Sequence, residues 1–476
     1  MFGVAAKITI QIASLVVLAR LLQASDYGLV AMVTAVIGVA DVLRDFGLSL
    51  VAVQRSELSD AARDKLFWIN SCIGLVVAVV VCCSAWPLAE LYGEPRLTSI
   101  TLVLSLTFLF NGMGAQHRAD LNRRLQFGKL ALGDVVGYAC GFGVALVLAL
   151  LGYGYWAIVG QYVTFSSVAS CYYLIAAGWL PHRYQRATDI RGELVFGAGV
   201  LGVQLSNYVA KNADSVIIGA RLGDIPLGLY SRAYQLLDAP MTQLQAPVTK
   251  VVLPYLSKAL DDPERYRSLI LRAQAALLHP MMLMFGVAAG FSPIAIPVML
   301  GDGWLGVERP FQVLCVGGMA TIAGYASYWA YLSTATLGSV VRRAILIQGL
   351  MVVGFFFGSN LGVEGVAGSF GVGAVVWWLS NTYLLKAVPL APWRELLLQG
   401  AAPFVTNVAC ALGVLCFLGS SDLGVPTSIA LGSLTYCAIY VVLGLGAFRM
   451  GGSLRTSLSI VSKVAMVGFQ PAPSGR

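Results

Sequence analysis

Long apolar runs recur along the whole chain and are separated by short polar breaks. Stretches such as Ile73–Ala85, Val144–Leu151 and Ala344–Gly358 contain almost no polar residues. A helix needs roughly 20 apolar residues to cross about 30 Å of hydrocarbon, whereas the strands of a membrane barrel alternate polar and apolar residues. The pattern therefore predicts an all-α polytopic membrane protein of about fourteen transmembrane helices. The predicted spans are residues 3–22, 29–50, 66–86, 97–116, 130–151, 155–177, 195–219, 227–252, 273–297, 311–332, 340–359, 364–385, 396–418 and 425–447.

The composition supports a membrane protein and gives no sign of a bound metal. Of the 476 residues, 58% are hydrophobic and 11% are charged, and the mean hydropathy is +0.78. No soluble core accounts for so large an apolar content. The nine cysteines and three histidines show no metal-ligand spacing, and no nucleotide-binding motif is present. We therefore expect no metal and no cofactor.

Basic residues are distributed unevenly between the loops on the two sides of the predicted bundle. If the N-terminus is cytoplasmic, the loops on the opposite side hold only Arg96, Arg221 and Arg309 of the 31 basic residues. Further basic residues lie within spans or at their ends, namely Lys7, Arg20, Arg44, Lys211 and Arg232. Because Lys and Arg concentrate in cytoplasmic loops, we expect a multi-pass protein of the bacterial inner membrane with both termini cytoplasmic. The net charge of +8 then faces anionic lipid headgroups, and no nucleic acid is needed to explain it.

A short match between two junctions of predicted helices indicates an internal repeat. The first junction contains Ala19-Arg20-Leu21-Leu22 and Tyr27-Gly28-Leu29, and the junction of spans seven and eight contains Ala220-Arg221-Leu222-Gly223 and Leu227-Gly228-Leu229. Six spans separate the copies, which preserves the membrane orientation expected of parallel repeats. The sequence therefore predicts two six-helix lobes in parallel repeat, followed by two C-terminal helices. The predicted divisions are an N-terminal lobe at 1–180, a cytoplasmic linker at 181–194, a C-terminal lobe at 195–390, and helices 13 and 14 with a cytoplasmic tail at 391–476.

Polar residues follow one face of four predicted spans, the first pair of each lobe. The stripes contain Lys7, Gln11 and Ser14 in span one; Thr34, Asp41, Arg44 and Asp45 in span two; Gln204, Asn207, Lys211 and Asp214 in span seven; and Ser231, Gln235, Asp238, Thr242, Gln245 and Thr249, with Arg232 beside them, in span eight. Ionisable groups within the bilayer cost roughly 2.5 to 3.5 kcal/mol on insertion scales, so they normally face water or a partner. We therefore expect the four striped helices to surround a hydrated cavity between the lobes.

Two of the charged pairs also admit a purely structural interpretation. Asp41 and Arg44, and likewise Lys211 and Asp214, are three residues apart and can form ion pairs that neutralise each other within one helix. Lys7 has no acidic residue one helical turn away. A cavity with unpaired cations suits an anionic substrate, because Lys and Arg donate charge-assisted hydrogen bonds to phosphate.

Two blocks of the chain resemble the polysaccharide transporter family of the multidrug/oligosaccharidyl-lipid/polysaccharide exporter superfamily, which comprises the O-antigen and exopolysaccharide repeat-unit flippases. The block that resembles the family's first helical hairpin is LARLLQASDYGLVAMVTAVIGVADVLRDFGLSLVAVQ. The block that resembles its seventh and eighth spans is NYVAKNADSVIIGARLGDIPLGLYSRAYQLLDAPMTQLQAPVTKVVLPYLSKA. The resemblance extends from residue 1 to about residue 390. It implies two six-helix lobes that alternate between inward-open and outward-open states around a cavity lined largely by spans one, two, seven and eight.

The same resemblance implies an undecaprenyl-diphosphate-linked oligosaccharide repeat unit as cargo, moved across the membrane for exopolysaccharide, O-antigen or capsule synthesis. It also implies transport coupled to an ion gradient, with membrane lipids, a polysaccharide polymerase and export machinery as further partners. We therefore expect a flippase that works by alternating access, and not an enzyme. The candidate cargo-binding residues are Lys7, Arg44, Lys211, Arg232, Gln204 and Asn207, and the candidate ion-coupling residues are Asp41, Asp214 and Asp238.

Two alternative functions follow from the same sequence. A cation-coupled drug antiporter of the same superfamily would carry cationic cargo, and the charges of the stripes do not decide the sign of the cargo. These charges are the basic Lys7, Arg44, Lys211 and Arg232 and the acidic Asp41, Asp45, Asp214 and Asp238. A membrane-embedded polysaccharide polymerase typically needs a substantial extracytoplasmic loop with catalytic groups, and the longest candidate here, Pro297–Pro310, is short.

Overall fold

The structure is helical throughout the part of the chain that it describes. The computed structural model describes residues 2–45, 60–182, 191–334, 337–420 and 424–451. Within these ranges the chain forms fourteen long helices and one short α-helix, and the predicted all-α polytopic fold is confirmed. A helix suits hydrocarbon because it satisfies its backbone N–H and C=O groups within its own segment.

The long helices follow the predicted spans in order. The first six are α1 (Phe2–Leu21), α2 (Ala24–Asp45), α3 (Asp60–Tyr92), α4 (Arg96–Arg123), α5 (Phe127–Leu150) and α6 (Trp156–Ala177). The next are α7 (Arg191–Leu222), α8 (Asp224–Ser257), α9 (Pro263–Gly290), the short α10 (Ser292–Leu300), α11 (Glu308–Ser333), α12 (Leu337–Gly358) and α13 (Gly362–Leu384). The last two are α14 (Trp393–Gly419) and α15 (Val425–Gly451). Ten stretches of the described residues are long and apolar enough to cross a membrane.

The ninth predicted span, residues 273–297, is divided between two helices. The helix α9 ends at Gly290 and α10 begins at Ser292. Pro293 follows at the second position of α10, where a missing backbone N–H is tolerated because the first turn of a helix leaves its N–H groups unbonded. The apolar run therefore continues through a break in the helix that its hydrophobicity does not reveal.

The contacts of the chain form two compact units, and the first comprises Met1–Ser231 and Met299–Gly303. Within this unit α3 packs on α4, α4 on α6, α6 on α5 and α5 on α1, while α2 packs on α7. Small residues permit a close approach of α3 and α4. A β-carbon added to Gly112 of α4 would lie 3.0 Å from the α-carbon of Gly74 on α3. Glycine at such positions lets two membrane helices pack backbone to backbone.

The second unit comprises Arg232–Val298 and Trp304–Arg476. In this unit α9 packs on α11, α11 on α13 and α13 on α12. The order is the same as that of α3, α4, α6 and α5 within the first unit, which supports the internal repeat. The C-terminal helices belong to the second unit, where α14 packs on α9 and α15 packs on α14.

A buried hydrogen bond fixes α15 to α14. The Tyr436 hydroxyl donates to Asn407 Oδ1 at 2.6 Å, and both side chains are buried. Gly286 of α9 lies against this pair, since a β-carbon there would overlap the Tyr436 hydroxyl. The three helices therefore meet at one small, polar and fully packed point.

The division between the two compact units falls within α8, after Ser231, so that α7 lies in the same unit as α1 to α6. The predicted linker at 181–194 contains residues 183–190, which lie outside the described residues. The domain boundaries that the repeat predicts, including the lobes at 1–180 and 195–390, stay predictions.

Candidate functional site

Two glycines at equivalent positions of the repeat bring the starts of α2 and α8 together. A β-carbon on Gly28 would overlap the backbone oxygen of Asp224, the first residue of α8. A β-carbon on Gly228 would overlap the backbone oxygen of Ala24, the first residue of α2. Both pairs of equivalent positions are 200 residues apart in the sequence. The contact is therefore reciprocal, and it places α2 directly against the junction of α7 and α8.

Farther along α2, Tyr208 connects α7 to α2. Its hydroxyl donates to the backbone oxygen of Thr34 at 3.0 Å and also lies 3.3 Å from that of Ala35. Gly38 leaves the space that the tyrosine occupies, since a β-carbon there would overlap the hydroxyl. Thr34, a member of the predicted polar stripe, donates its own hydroxyl to Val30 within α2 at 2.9 Å. The stripe thus begins where α2 and α7 are closely packed.

The charged residues near the end of α2 form the ion pair that their spacing allows. Arg44 Nε lies 3.4 Å from Asp41 Oδ1. The Asp41 side chain is 53% exposed and that of Arg44 is 17% exposed. The side chain of Asp45 lies outside the described residues. Asp41 is therefore paired with Arg44, and about half of its side chain is still accessible to water or to an ion.

Asp214, a candidate ion-coupling residue on α7, is 3% exposed. Its carboxylate accepts hydrogen bonds from the Tyr230 hydroxyl at 2.6 Å and from the Ser215 backbone N–H at 2.6 Å. The Ser215 hydroxyl is a further partner at 3.3 Å. A buried carboxylate is tolerated only when donors surround it, and here they do. Because Tyr230 lies on α8, Asp214 joins α7 to α8.

The other candidates on α7 differ in their exposure. Lys211 is exposed and Gln204 is half-buried. The side chain of Asn207 lies outside the described residues. Lys211 is therefore much more exposed than Asp214, which follows it on the same stripe.

In the second unit, the candidate cation Arg232 is buried. It is 5% exposed, and its Nη1 donates to Gln235 Oε1 at 2.5 Å. Its guanidinium also lies 5.8 Å from the centre of the Trp304 ring. An aromatic face offsets part of the cost of removing a cation from water. Asp238, six residues farther along α8, is half-buried.

The stripe of α1 contacts helices other than those the sequence predicts. Lys7 Nζ lies 3.3 Å from Asp134 Oδ2 on α5, and Gln161 of α6 donates to Ser14 Oγ at 2.8 Å. The expected neighbours of this stripe were α2, α7 and α8. Polar side chains within the bilayer normally contact water or a polar partner. For Lys7 and Ser14 the partners lie on α5 and α6.

Asp134 is not among the site residues predicted from the sequence, although the sequence contains one signal for it. Asp134 is the only acidic residue of α5, whose only other charged residue is Lys129 in its first turn. Gln11, which follows Lys7 on the same face of α1, hydrogen-bonds to Tyr138 one turn beyond Asp134. A single carboxylate in an apolar membrane helix predicts a partner on another helix, but not which helix carries that partner.

The described residues contain a large apolar cavity and no candidate metal site. The cavity has a volume of about 950 Å³ and lies between α12 and α13, where its walls include Leu350, Phe357 and Val372. Among the described residues, no group of three or more His, Cys, Asp or Glu side chains is placed to hold a metal ion. The candidate site thus consists of charged and amide side chains, without a metal centre in the described part of the chain.

The chain is similar to proteins that are named for polysaccharide biosynthesis. It is 25% identical over 420 residues to the lipopolysaccharide biosynthesis protein WzxC of Escherichia coli (strain K12), a match that covers 84% of this chain and 83% of that protein. It is 24% identical over 440 residues to the succinoglycan biosynthesis transport protein ExoT of Rhizobium meliloti (strain 1021), which covers 90% of this chain and 88% of that protein.

Solved structures share the fold at low sequence identity. A lipid II flippase MurJ in an inward closed conformation superimposes with a TM-score of 0.71 and 13% identity, covering 94% of this chain and 98% of that one. An inward-facing multidrug resistance MATE family transporter of the MOP superfamily superimposes with a TM-score of 0.60 and 14% identity. This match covers 80% of this chain and 95% of that one. The family described as polysaccharide biosynthesis protein matches residues 17–309, more than half of the chain. This protein therefore belongs to that family, and the resemblance seen in its sequence is confirmed.

Proposed function

We propose that this protein is a flippase that moves an undecaprenyl-diphosphate-linked oligosaccharide repeat unit across the bacterial inner membrane by alternating access. The observation that carries the proposal is membership of the polysaccharide biosynthesis family over residues 17–309. Similarity to a relative named as a transport protein of succinoglycan biosynthesis, and a fold like that of a lipid II flippase, support it. The protein is then a transporter and not an enzyme. The repeat unit that it moves serves exopolysaccharide, O-antigen or capsule synthesis.

Basic side chains within the bundle are proposed to bind the diphosphate of the cargo. Lys211 is exposed, whereas Arg44 is 17% exposed and is paired with Asp41. Arg232 is buried, so α8 has to move before this guanidinium reaches a phosphate. Lys and Arg suit this role because they donate charge-assisted hydrogen bonds to phosphate oxygens. The proposed cargo-binding set is Lys7, Arg44, Lys211, Arg232, Gln204 and Asn207.

The acidic residues are proposed to couple transport to a proton or sodium ion. Asp41 is the most accessible, with 53% of its side chain exposed, and Asp238 is half-buried. Asp214 is the least accessible, because its carboxylate is buried and already accepts hydrogen bonds from Tyr230 and Ser215. Coupling through Asp41 or Asp238 therefore requires less rearrangement than coupling through Asp214.

The proposed setting of the protein follows from the same function. Both termini are proposed to be cytoplasmic, and the distribution of Lys and Arg between the loops supports this orientation. The partners are the lipid-linked oligosaccharide and membrane lipids, followed by a polysaccharide polymerase and export machinery that consume the cargo. No nucleic acid takes part.

A cation-coupled drug antiporter is the second candidate function, and one observation favours it. The fold is also similar to that of a multidrug resistance MATE family transporter, with a TM-score of 0.60. The two functions predict opposite charges on the cargo. A drug antiporter would confer efflux of cationic dyes, whereas a flippase of diphosphate-linked sugars would not.

The proposed function is tested by deleting the gene and assaying lipid-linked repeat units on each face of the inner membrane. Units trapped on the cytoplasmic face establish a flippase. Units that cross normally but stay unpolymerised point to a polymerase, and normal polysaccharide with lost dye efflux points to a drug antiporter.

The role of Lys211 is tested by complementation with Lys211→Ala. Loss of a charge-assisted hydrogen bond, worth about 1.5 to 3 kcal/mol, predicts a flipping rate lower by about tenfold or more at unchanged protein level. The matched control is Lys258→Ala, which removes an exposed lysine beyond the end of α8 and should leave flipping unchanged. Equal rates for both variants would remove Lys211 from the proposed site.

A further inference from the structure

Three side chains from three helices converge on Asp134, the single carboxylate of α5. Lys7 Nζ of α1 lies 3.3 Å from its Oδ2, and Arg118 Nη2 of α4 lies 3.8 Å from its Oδ1. The Tyr173 hydroxyl of α6 donates to the same Oδ1. One carboxylate therefore links α1, α4, α5 and α6 within the first unit.

The cluster lies near the starts of α1 and α5 and near the ends of α4 and α6. Asp134 is the eighth residue of α5, which places it about 10 Å from the start of that helix at 1.5 Å per residue. Lys7 is in the second turn of α1, and Arg118 and Tyr173 are in the last two turns of α4 and α6. The distribution of Lys and Arg predicts that these parts of the four helices lie at the cytoplasmic side. A phosphate group at the surface of that leaflet is therefore within a short distance of the cluster.

The charges and exposures of the cluster are asymmetric. Two cations share one carboxylate, and the side chains of Lys7 and Arg118 are 29% and 59% exposed, against 16% for Asp134. Both ion-pair distances exceed the length of about 2.7 to 2.9 Å that is usual for a charge-assisted hydrogen bond. Both cations are thus more exposed than the carboxylate, and neither is held at the short distance of a strong ion pair.

Each of the two cations also lies over the ring of a tyrosine. Lys7 Nζ lies 5.2 Å from the centre of the Tyr138 ring, and the Arg118 guanidinium lies 5.7 Å from the centre of the Tyr173 ring. A ring face stabilises a cation electrostatically without accepting its N–H groups in strong hydrogen bonds. Those N–H groups are therefore available to a stronger acceptor than the single carboxylate.

We propose that Lys7 and Arg118 form a binding site for a lipid-borne phosphate, in which Asp134 serves as an internal anion that the phosphate displaces. Both nitrogen atoms lie within 3.8 Å of one carboxylate, so a phosphate or diphosphate in its place reaches both cations. Its source is either the diphosphate of the cargo, which rests on the proposed function, or the headgroup of an anionic phospholipid. The chemistry of recognition is the same for both.

Asp134 distinguishes this site from a purely structural ion pair. If Asp134 competes with phosphate, removal of its negative charge frees both cations and tightens phosphate binding. If the cluster only holds α1 against α5, the same change loosens the helices and gives no gain in binding. The sign of the effect of Asp134→Asn is therefore the central observation of the test.

The experiment uses the purified full-length protein in a neutral detergent, titrated with farnesyl diphosphate by isothermal titration calorimetry. Replacement of Arg118 or Lys7 by Gln removes one charge-assisted contact, worth about 1.5 to 3 kcal/mol, and should raise the dissociation constant about tenfold or more. Asp134→Asn should lower it severalfold. The matched control is Arg309→Gln, which breaks an equally loose pair, 3.7 Å from Glu364, in the second unit and should change nothing.

The binding measurements distinguish a phosphate site from a structural ion pair even if one of the variants is unstable. If Arg118→Gln does not accumulate, Arg118→Lys keeps the charge but not the planar fork and should bind with intermediate affinity. Unchanged binding by Arg118→Gln, or weaker binding by Asp134→Asn, would overturn the proposal. If these results occur while Lys211→Ala still impairs flipping, only this inference fails and the proposed function stands.

A second arm identifies the source of the phosphate. Mixed micelles that contain phosphatidylglycerol are added as competitors of farnesyl diphosphate. Competition that disappears in Arg118→Gln assigns the site to phospholipid headgroups, whereas binding that resists phosphatidylglycerol assigns it to the diphosphate of the cargo. Both results support a phosphate site, and they differ only in the lipid that fills it.

Discussion

Gly28 and Gly228 each lie against the first residue of the helix that carries the other. Gly28 of α2 faces Asp224, where α8 begins, and Gly228 of α8 faces Ala24, where α2 begins. The two helices therefore cross at equivalent points of the internal repeat, with backbone directly against backbone. Only glycine permits this approach, because any β-carbon at either position would overlap a carbonyl oxygen.

Replacement of either glycine by alanine should destabilise the protein severely. Overpacking typically costs about 1 to 3 kcal/mol, and a backbone atom yields less readily than a side chain, so we expect a loss at the upper end or beyond. The measurement is the thermal unfolding midpoint and the yield of a fluorescent fusion by size-exclusion chromatography. Gly143→Ala on α5, where a β-carbon meets nothing within 4 Å, is the control and should lose nothing. A normal midpoint for Gly28→Ala would show that the two helices separate without cost.

Tyr230→Phe should weaken the connection between α7 and α8. The change removes the hydroxyl that donates to Asp214 at 2.6 Å and leaves a buried carboxylate short of one donor. An unsatisfied buried group costs about 1 to 3 kcal/mol, more when it is charged, so the unfolding midpoint should fall by several degrees. Tyr153→Phe removes an exposed hydroxyl in the same unit and should be neutral.

Asp214→Asn tests whether this residue couples an ion despite its burial. A structural role predicts a lower unfolding midpoint with unchanged dependence of transport on the ion gradient. A variant that keeps its stability but loses the ion dependence would instead assign coupling to Asp214, against the order of accessibility proposed above.

Tyr436→Phe should loosen α15 from α14. It leaves Asn407 Oδ1 without the donor that now lies 2.6 Å away in a buried site, at a cost of about 1 to 3 kcal/mol. Tyr383→Phe serves as the control, since its hydroxyl accepts a hydrogen bond from Lys386 at an exposed position where such contacts contribute little. Limited proteolysis of the C-terminal helices should distinguish the two variants. Equal protection of both would mean that packing alone holds α15.

The positions of the helices follow from the sequence because the bilayer imposes a length on every apolar run. The predicted span 130–151 became α5, Phe127–Leu150, and the offset between Gly28 and Gly228 revealed a repeat that the packing order of the two units supports. These features depend on residues close together in the chain, or on matches between segments of the chain.

The partners of the polar residues do not follow from the sequence. Periodicity places Lys7 on one face of α1, but Asp134 is 127 residues away and nothing local indicates that α5 lies against that face. The same periodicity places Asp214 on the stripe of Lys211, yet Tyr230 and Ser215 bind it in the interior. A stripe records which face of a helix is polar, whereas tertiary packing decides what that face meets.

Exchanging Asp41 and Arg44 should show whether Arg44 only forms an ion pair with Asp41 or also binds the diphosphate of the cargo. Arg44 Nε lies 3.4 Å from Asp41 Oδ1, so either single neutralisation, Asp41→Asn or Arg44→Gln, breaks the pair. The double variant Asp41→Arg with Arg44→Asp restores a pair at the same spacing. If the two residues only neutralise each other, the double variant should recover both protein level and flipping. If Arg44 contacts the diphosphate, protein level should recover while flipping stays about tenfold or more below that of the unaltered protein, because one charge-assisted hydrogen bond of about 1.5 to 3 kcal/mol is lost. We expect the second result, and full recovery of flipping would remove Arg44 from the proposed cargo site.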